Sequence, residues 1–224
     1  AIAETKAGGK VTLLRDVDEE ITVPQGASVI LDFNKNTVTG TITNNGSMAM
    51  SGEGTLIGAV TGNAPTDGGQ VKVVIAQVGD ETYTDLKAAV NAAITSGQTL
   101  VMRGDASFER IDVKDSSLTI DLNGHMIASE SKLAMVVENG TLTIHDTSEE
   151  KTGKLKHTKG SHAIVLNNKG TFVLDGGTIE SDGYGVFGNG GASTKIKIAG
   201  GKVMAVNAVC AVGNGKSENT TVEI

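Results

Sequence analysis

The chain repeats itself at a fixed interval. Gly153-Lys154-Leu155-Lys156, Gly177-Thr178-Ile179-Glu180 and Gly201-Lys202-Val203-Met204 follow one another 24 residues apart. A repeat too short to be a domain belongs to architectures in which each unit buries its apolar face only against its neighbours. A second series, Leu118-Thr119-Ile120, Leu142-Thr143-Ile144, Phe172-Val173-Leu174, Ile196-Lys197-Ile198 and Val222-Glu223-Ile224, alternates apolar and mixed positions, which is strand periodicity. Its steps are 24, 30, 24 and 26 residues, the long one reflecting six extra residues around 147–152. A third series runs through Ala134-Met135-Val136-Val137, Ala163-Ile164-Val165-Leu166, Gly185-Val186-Phe187 and Ala208-Val209-Cys210. Three short strands per turn, with glycine or asparagine at the corners, predict an all-β chain: a parallel β-helix (solenoid) of about 24 residues per coil. Right-handed crossovers dominate parallel β structure, so a right-handed winding is expected. With 3% aromatic residues and no tryptophan, the core of such a coil must be aliphatic.

One segment breaks the strand pattern. In Asp85-Leu86-Lys87-Ala88-Ala89-Val90-Asn91-Ala92-Ala93-Ile94 apolar residues recur three and four apart, predicting a capping helix near 84–96 with Thr84 as N-cap and Gly97 as the stop. Its tail has a copy at the start of the chain, since Gly9-Lys10-Val11-Thr12-Leu13-Leu14-Arg15 matches Gly97-Gln98-Thr99-Leu100-Val101-Met102-Arg103 at an offset of 88. Leu31-Asp32-Phe33-Asn34 then matches Ile120-Asp121-Leu122-Asn123 at 89, and Asn45-Gly46-Ser47-Met48 matches Asn139-Gly140-Thr141-Leu142 at 94. Two modules are expected: a short one over 1–62 whose N-terminal part is missing, a turn-rich linker over 63–69, and a longer one over 70–224. Both ends read as cuts in a longer repeat protein.

The run from Ala76 through Tyr83-Thr84-Asp85-Leu86 and its helix, followed by Ile120-Asp121-Leu122-Asn123-Gly124-His125 and Asn139-Gly140-Thr141-Leu142-Thr143-Ile144, resembles the pectate-lyase-like right-handed β-helix modules. These occur in large surface proteins of Gram-positive gut bacteria, and related repeats occur in bacteriophage head-fibre, decoration and tail proteins. The resemblance implies an extracellular location, on a cell surface or a virion, and work in adhesion, display or stalk building. A host-surface glycan or protein is the implied partner. A virion fibre would form a homotrimer, for which Val136, Val165, Phe187 and Cys210 make the candidate apolar column.

Stacked coils would align Asp121, His145, Asp175 and Ala199 on the outer face, with adjacent rungs about 4.8 Å apart. Asp121 and Asp175 would then lie about 9–10 Å apart, at the upper edge of the roughly 6.5–9.5 Å used by inverting glycosidases. The chain lacks tryptophan for sugar stacking, and it lacks the clustered aspartates, Gly-His-Gly and Arg-Ile-Lys patterns expected of polygalacturonases. It is therefore read as non-enzymatic, with Asp121, His145 and Asp175 as the candidates for a polysaccharide lyase or glycoside hydrolase alternative. The Asp-Leu-Asn-Gly corner is better explained by turn chemistry, with Gly124 at positive φ. Tyr184 and Phe187 are the candidate ligand-binding pair, as a small sugar platform. His125, His145, His157 and His162 fall at different corners, so no metal and no cofactor is expected. Arg103-Gly104-Asp105 is read as a chance tripeptide at a turn. A net charge of −7 without a basic face argues against nucleic acid, and no apolar run approaches the roughly 20 residues that span a bilayer.

Overall fold

Alternating aliphatic residues leave a strand one apolar face, and in this chain that face is buried by parallel pairing with the next copy of the same strand. The computed structural model describes residues 2, 8–67, 70–189, 193–212 and 220–224, which form two compact units, Ala1–Ile75 and Ala76–Ile224. The fold is all-β apart from a helix over Leu86–Ser96, and its sheets are long and mainly parallel. Among the described residues no helix is long and apolar enough to cross a membrane.

The first unit holds three parallel ladders. One runs through Gly9–Thr12, Ser28–Asp32, Ser47–Ser51 and Thr66–Asp67; the second through Val17–Asp18, Thr37–Thr39, Gly54–Ile57 and Val71–Val74; the third through Ile21–Val23, Ile42–Asn44 and Val60–Gly62. All three contribute to one apolar cluster that includes Leu31, Phe33, Val38, Ile42 and Leu56. Partners in register, such as Val17 with Val38, Ile42 with Val60 and Thr66 with Ala49, are 17 to 21 residues apart, so the repeat here is shorter than 24. The segment expected as a linker contributes the Thr66–Asp67 strand, and Val71–Val74, expected to lead into the second module, pairs with Gly54–Ile57 of the first. The division therefore falls after Ile75. The expected helix tail at the start of the chain lies outside the described residues.

The second unit repeats the pattern with longer steps. Leu100–Met102, Ser117–Asp121 and Thr141–His145 continue into the long strands Thr171–Asn189 and Lys195–Val212 and end at Thr221–Glu223. A second ladder links Ala106–Ser107, Met126–Ser129 and Lys154–His157 to the middle of the same long strands, and a third links Ile111–Lys114, Leu133–Glu138 and His162–Asn167 to their ends. Leu118, Leu142, Phe172 and Ile196 form one buried column; Ile127, Leu155 and Ile179 form another; Met135, Ile164 and Val186 form a third. Antiparallel strands Ala76–Val78 and Glu81–Tyr83 close the start of the first ladder.

The helix covers that closure, packing on Ala76–Val78, Glu81–Tyr83, Leu100–Met102 and Ser117–Asp121. Leu86, Ala89, Val90 and Ala93 form its buried face. Its N-cap is Asp85 rather than the expected Thr84: Asp85 has extended backbone, and its carboxylate accepts the Ala88 N–H at 2.8 Å. Gly97 ends the helix at φ 70°.

Each column residue is gripped by the rungs on both sides, so loss of a central one leaves a cavity that cannot collapse. Ile144→Ala should cost about 2–5 kcal/mol in urea unfolding, whereas Val206→Ala, at a side chain 76% exposed, should change stability by less than about 0.5 kcal/mol.

Candidate functional site

The outer column forms in register as far as Asp175. Asp121 pairs with His145, and His145 pairs with Asp175, but a register shift after Leu174 then sets Asp175 opposite Gly200, so the expected alignment with Ala199 is not made. The three candidates stand in different environments. Asp121 is 5% exposed and points into the corner. One of its oxygens accepts the N–H groups of Asn123 and Thr147, both at 3.0 Å, and the other accepts the Thr147 hydroxyl at 2.6 Å. His145 is half-buried, and its Nε2 is enclosed without a hydrogen-bond partner among the described residues. Asp175 is exposed. An acid–base pair needs two carboxyls open to one substrate space, and here one carboxyl is engaged on both oxygens.

What Asp121 does is visible from its counterpart. Asn123, at φ 44°, donates its amide to the Met102 carbonyl at 3.0 Å, and Gly124 follows at φ 81°. In the first unit Asp32 accepts the Asn34 N–H at 3.1 Å, and Asn34, at φ 47°, donates to the Leu13 carbonyl at 3.0 Å. The same Asp-x-Asn corner ties consecutive rungs in both units. Asp32 differs in having Lys10 at 2.6 Å, which holds its carboxyl below the ordinary range.

The residue that sequence reasoning missed is Asp146, 3% exposed at the base of the 147–152 insertion. Its Oδ1 accepts the Gly124 N–H (2.9 Å), the Ser148 N–H (3.1 Å) and the Ser148 hydroxyl (2.7 Å), and its Oδ2 accepts the Gly153 N–H (2.6 Å). Burial raises its pKa, but the Ser148 hydroxyl and the Gly153, Gly124 and Ser148 N–H groups outweigh that and hold it below the ordinary value. Lys151 donates to the Asp146 carbonyl at 2.7 Å. A Cβ on Gly153 would lie 2.5 Å from the Leu122 Cβ and 2.7 Å from the Asp146 carboxylate, which explains glycine at the head of that repeat. The only sequence signal was an acid beginning an irregular insertion.

Tyr184 and Phe187 do come together, and His162 joins them. The His162 and Tyr184 rings, neighbours in register, stack at 4.6 Å and 10°, and Phe187 meets them edge-on at 4.7 and 5.5 Å. One face of Tyr184 is therefore covered by the chain's own imidazole, which removes half of the expected sugar platform. Burial, followed by the charges of His157 and Lys132, lowers the His162 pKa, which favours the neutral ring in the stack.

The other histidines have separate roles. His157 is fully buried, with Nε2 at 2.8 Å from the Ser131 carbonyl and Nδ1 at 3.0 Å from the Ser181 hydroxyl. Ser181 in turn accepts the Gly183 N–H at 3.2 Å and is 6% exposed, so this serine–histidine pair is a buried brace. His125 stands 3.5 Å from Asp105. Among the described residues no three His, Cys, Asp or Glu side chains gather in a way that could hold a metal ion. The Arg103-Gly104-Asp105 tripeptide is tied down: Arg103 donates twice to Gln77, and Asp105 accepts the Met126 N–H. The lysines at 154 and 156 straddle Glu180, and Lys197 meets Glu223, so these three lysines are paired with acids.

No protein-family model, curated protein or solved structure matches the chain.

Asp146→Asn would set an amide against the Gly153 N–H. It should cost about 1–3 kcal/mol and speed proteolysis within 147–152, checked by urea unfolding and limited digestion. Because the folded pKa of His162 is lowered, its contribution to stability is complete above about pH 6.5 and is lost as pH falls through the lower folded value. His162→Phe should remove that part of the pH dependence, read as the difference between thermal unfolding profiles from neutral to mildly acidic pH.

Proposed function

We propose that each unit is a right-handed parallel β-helix and that the chain is a non-enzymatic structural or adhesive segment displayed outside the cell. The observation that carries this reading is the use made of the chemistry-bearing side chains: Asp121, Asp146 and His157 are buried and hydrogen-bonded to neighbouring rungs. A stiff rod needs polar braces of this kind. An enzyme on the same scaffold would leave such groups open to a substrate. The resemblance of the repeats to pectate-lyase-like surface modules agrees with the reading and supplies its location, on a bacterial surface.

A bacteriophage head-fibre or tail component is the alternative, and there the rod would trimerise through its outer apolar column. Val136, Val165, Phe187 and Cys210 do align, but the two valines are each 6% exposed within the single chain and have little surface left to offer. That favours a monomer.

Light scattering of the full chain should give a mass near 22.9 kDa; a stable trimer would overturn the monomeric reading in favour of the virion fibre. Incubation with pectins and other acidic polysaccharides should release no new reducing ends or unsaturated products. Turnover that Asp175→Asn abolishes would establish the enzyme instead.

A further inference from the structure

The two units begin alike. Asp16 accepts the Thr37 N–H at 2.8 Å, and Asp105 accepts the Met126 N–H at 2.9 Å. The Asn34 amide donates to the Leu13 carbonyl and the Asn123 amide to the Met102 carbonyl, both at 3.0 Å. Each equivalent pair lies 89 residues apart, so Val11, Thr12 and Leu13 stand where the second unit has Leu100, Val101 and Met102, and Leu14 takes the place of Arg103. The two starts differ in what covers them. In the second unit Ala76, Gln77 and Val78 pair antiparallel with Met102, Val101 and Leu100, and Gln77 accepts two hydrogen bonds from Arg103. In the first, among the described residues, Gly9–Thr12 pairs only with Ser28–Asp32. Leu100 and Met102 are fully buried, whereas Val11 is half-buried and Leu14 is 89% exposed.

An uncovered strand edge carries backbone N–H and C=O groups with no strand partner and is a template for another strand. The second unit shows which strand such a start takes. It runs antiparallel, its inward residues Ala76 and Val78 are small or branched and buried, and the residue between them is matched to the side chain at the following corner. There Gln77 suits Arg103. Opposite Leu14 an amide would lose its hydrogen bonds, whereas an apolar side chain would take Leu14 out of water.

We propose that the free edge of Gly9–Thr12 accepts an antiparallel β-hairpin of the Ala76–Tyr83 kind from another polypeptide, with an apolar residue in the place of Gln77. In this chain that hairpin follows directly on Val71–Val74, the last strand of the first unit. The partner that fits is therefore the segment leaving the last strand of another module built in the same way. The inference rests on the observed ladders and not on the surface role proposed above, so its failure leaves that role untouched.

The test uses the full chain and labelled peptides of the sequence 76–83. By fluorescence polarisation the peptide carrying Gln77→Leu should bind saturably below about 1 mM, and the peptide that keeps Gln77 should bind about tenfold more weakly. The Gln77→Leu peptide N-methylated along 76–78 keeps its side chains but loses its donors, and it should not bind. Exchange of the edge-facing amides within Gly9–Thr12 should slow by about fivefold or more on binding, with no change at Leu100–Met102, whose edge is already taken. Leu14→Arg, at a side chain already in solvent, should reverse the preference and make the Gln77 peptide the tighter ligand. The inference is overturned if the Gln77→Leu peptide does not bind, if N-methylation leaves binding unchanged, if Leu14→Arg leaves the preference unchanged, or if protection appears along Lys195–Val212 instead. Edge amides within Gly9–Thr12 that are already protected without peptide would also overturn it: at all dilutions they would place the cover within the chain, and only at high concentration they would make a second copy the occupant.

Discussion

Everything in the two units depends on parallel pairing in register between one rung and the next. A strand of three to six residues has too few bonds to persist alone, and its apolar face is satisfied only by the equivalent residue one repeat away. Leu142 therefore exists as a core residue because Leu118 and Phe172 flank it. The constraint is local and repeats, so each rung's stability is tied to its immediate neighbours. It also explains the composition: facing columns at rung spacing accept Ile, Leu and Val, and the few large aromatics occupy special positions, such as Phe33 and Phe172 in the cores.

Much of this was legible in the sequence. The 24-residue interval of Gly153, Gly177 and Gly201 places Lys154, Thr178 and Lys202 in one ladder, and the structure pairs them so. The Leu-Thr-Ile series likewise predicts the pairs Ile120–Ile144 and Ile144–Leu174. The shorter repeat of the first unit was present as a drift in offset, from 88 at Gly9 to 94 at Asn45, which records corners losing residues relative to the second unit. Periodicity reads strands well and corners poorly, so the drift carried no assignment of its own.

The candidate site shows where sequence reading ends. Counting outward from Ile120, Ile144 and Leu174 correctly aligned Asp121, His145 and Asp175, but alternation says nothing about a side chain that turns back into its own corner, as Asp121 does. The register shift after Leu174 is a backbone event that no residue type announces. The N-cap moved by one residue because Thr84 and Asp85 are both competent, and only the three-residue reach from Asp85 to Ala88 separates them. Asp146 was hidden for the opposite reason: it lies in an irregular stretch, where any acid resembles a solvated loop residue until four donors are found around its carboxylate.

The clamp around Asp146 has a consequence for how such a chain can vary. By fixing Gly124, Ser148 and Gly153 to one buried carboxylate, it seals the neck of the 147–152 excursion, so the rungs on either side are insulated from what the tip contains. Glu149 and Glu150 are exposed beyond that neck. Natural drift, or a designer, could lengthen or rewrite the tip as a graft point while the ladder beneath keeps its register.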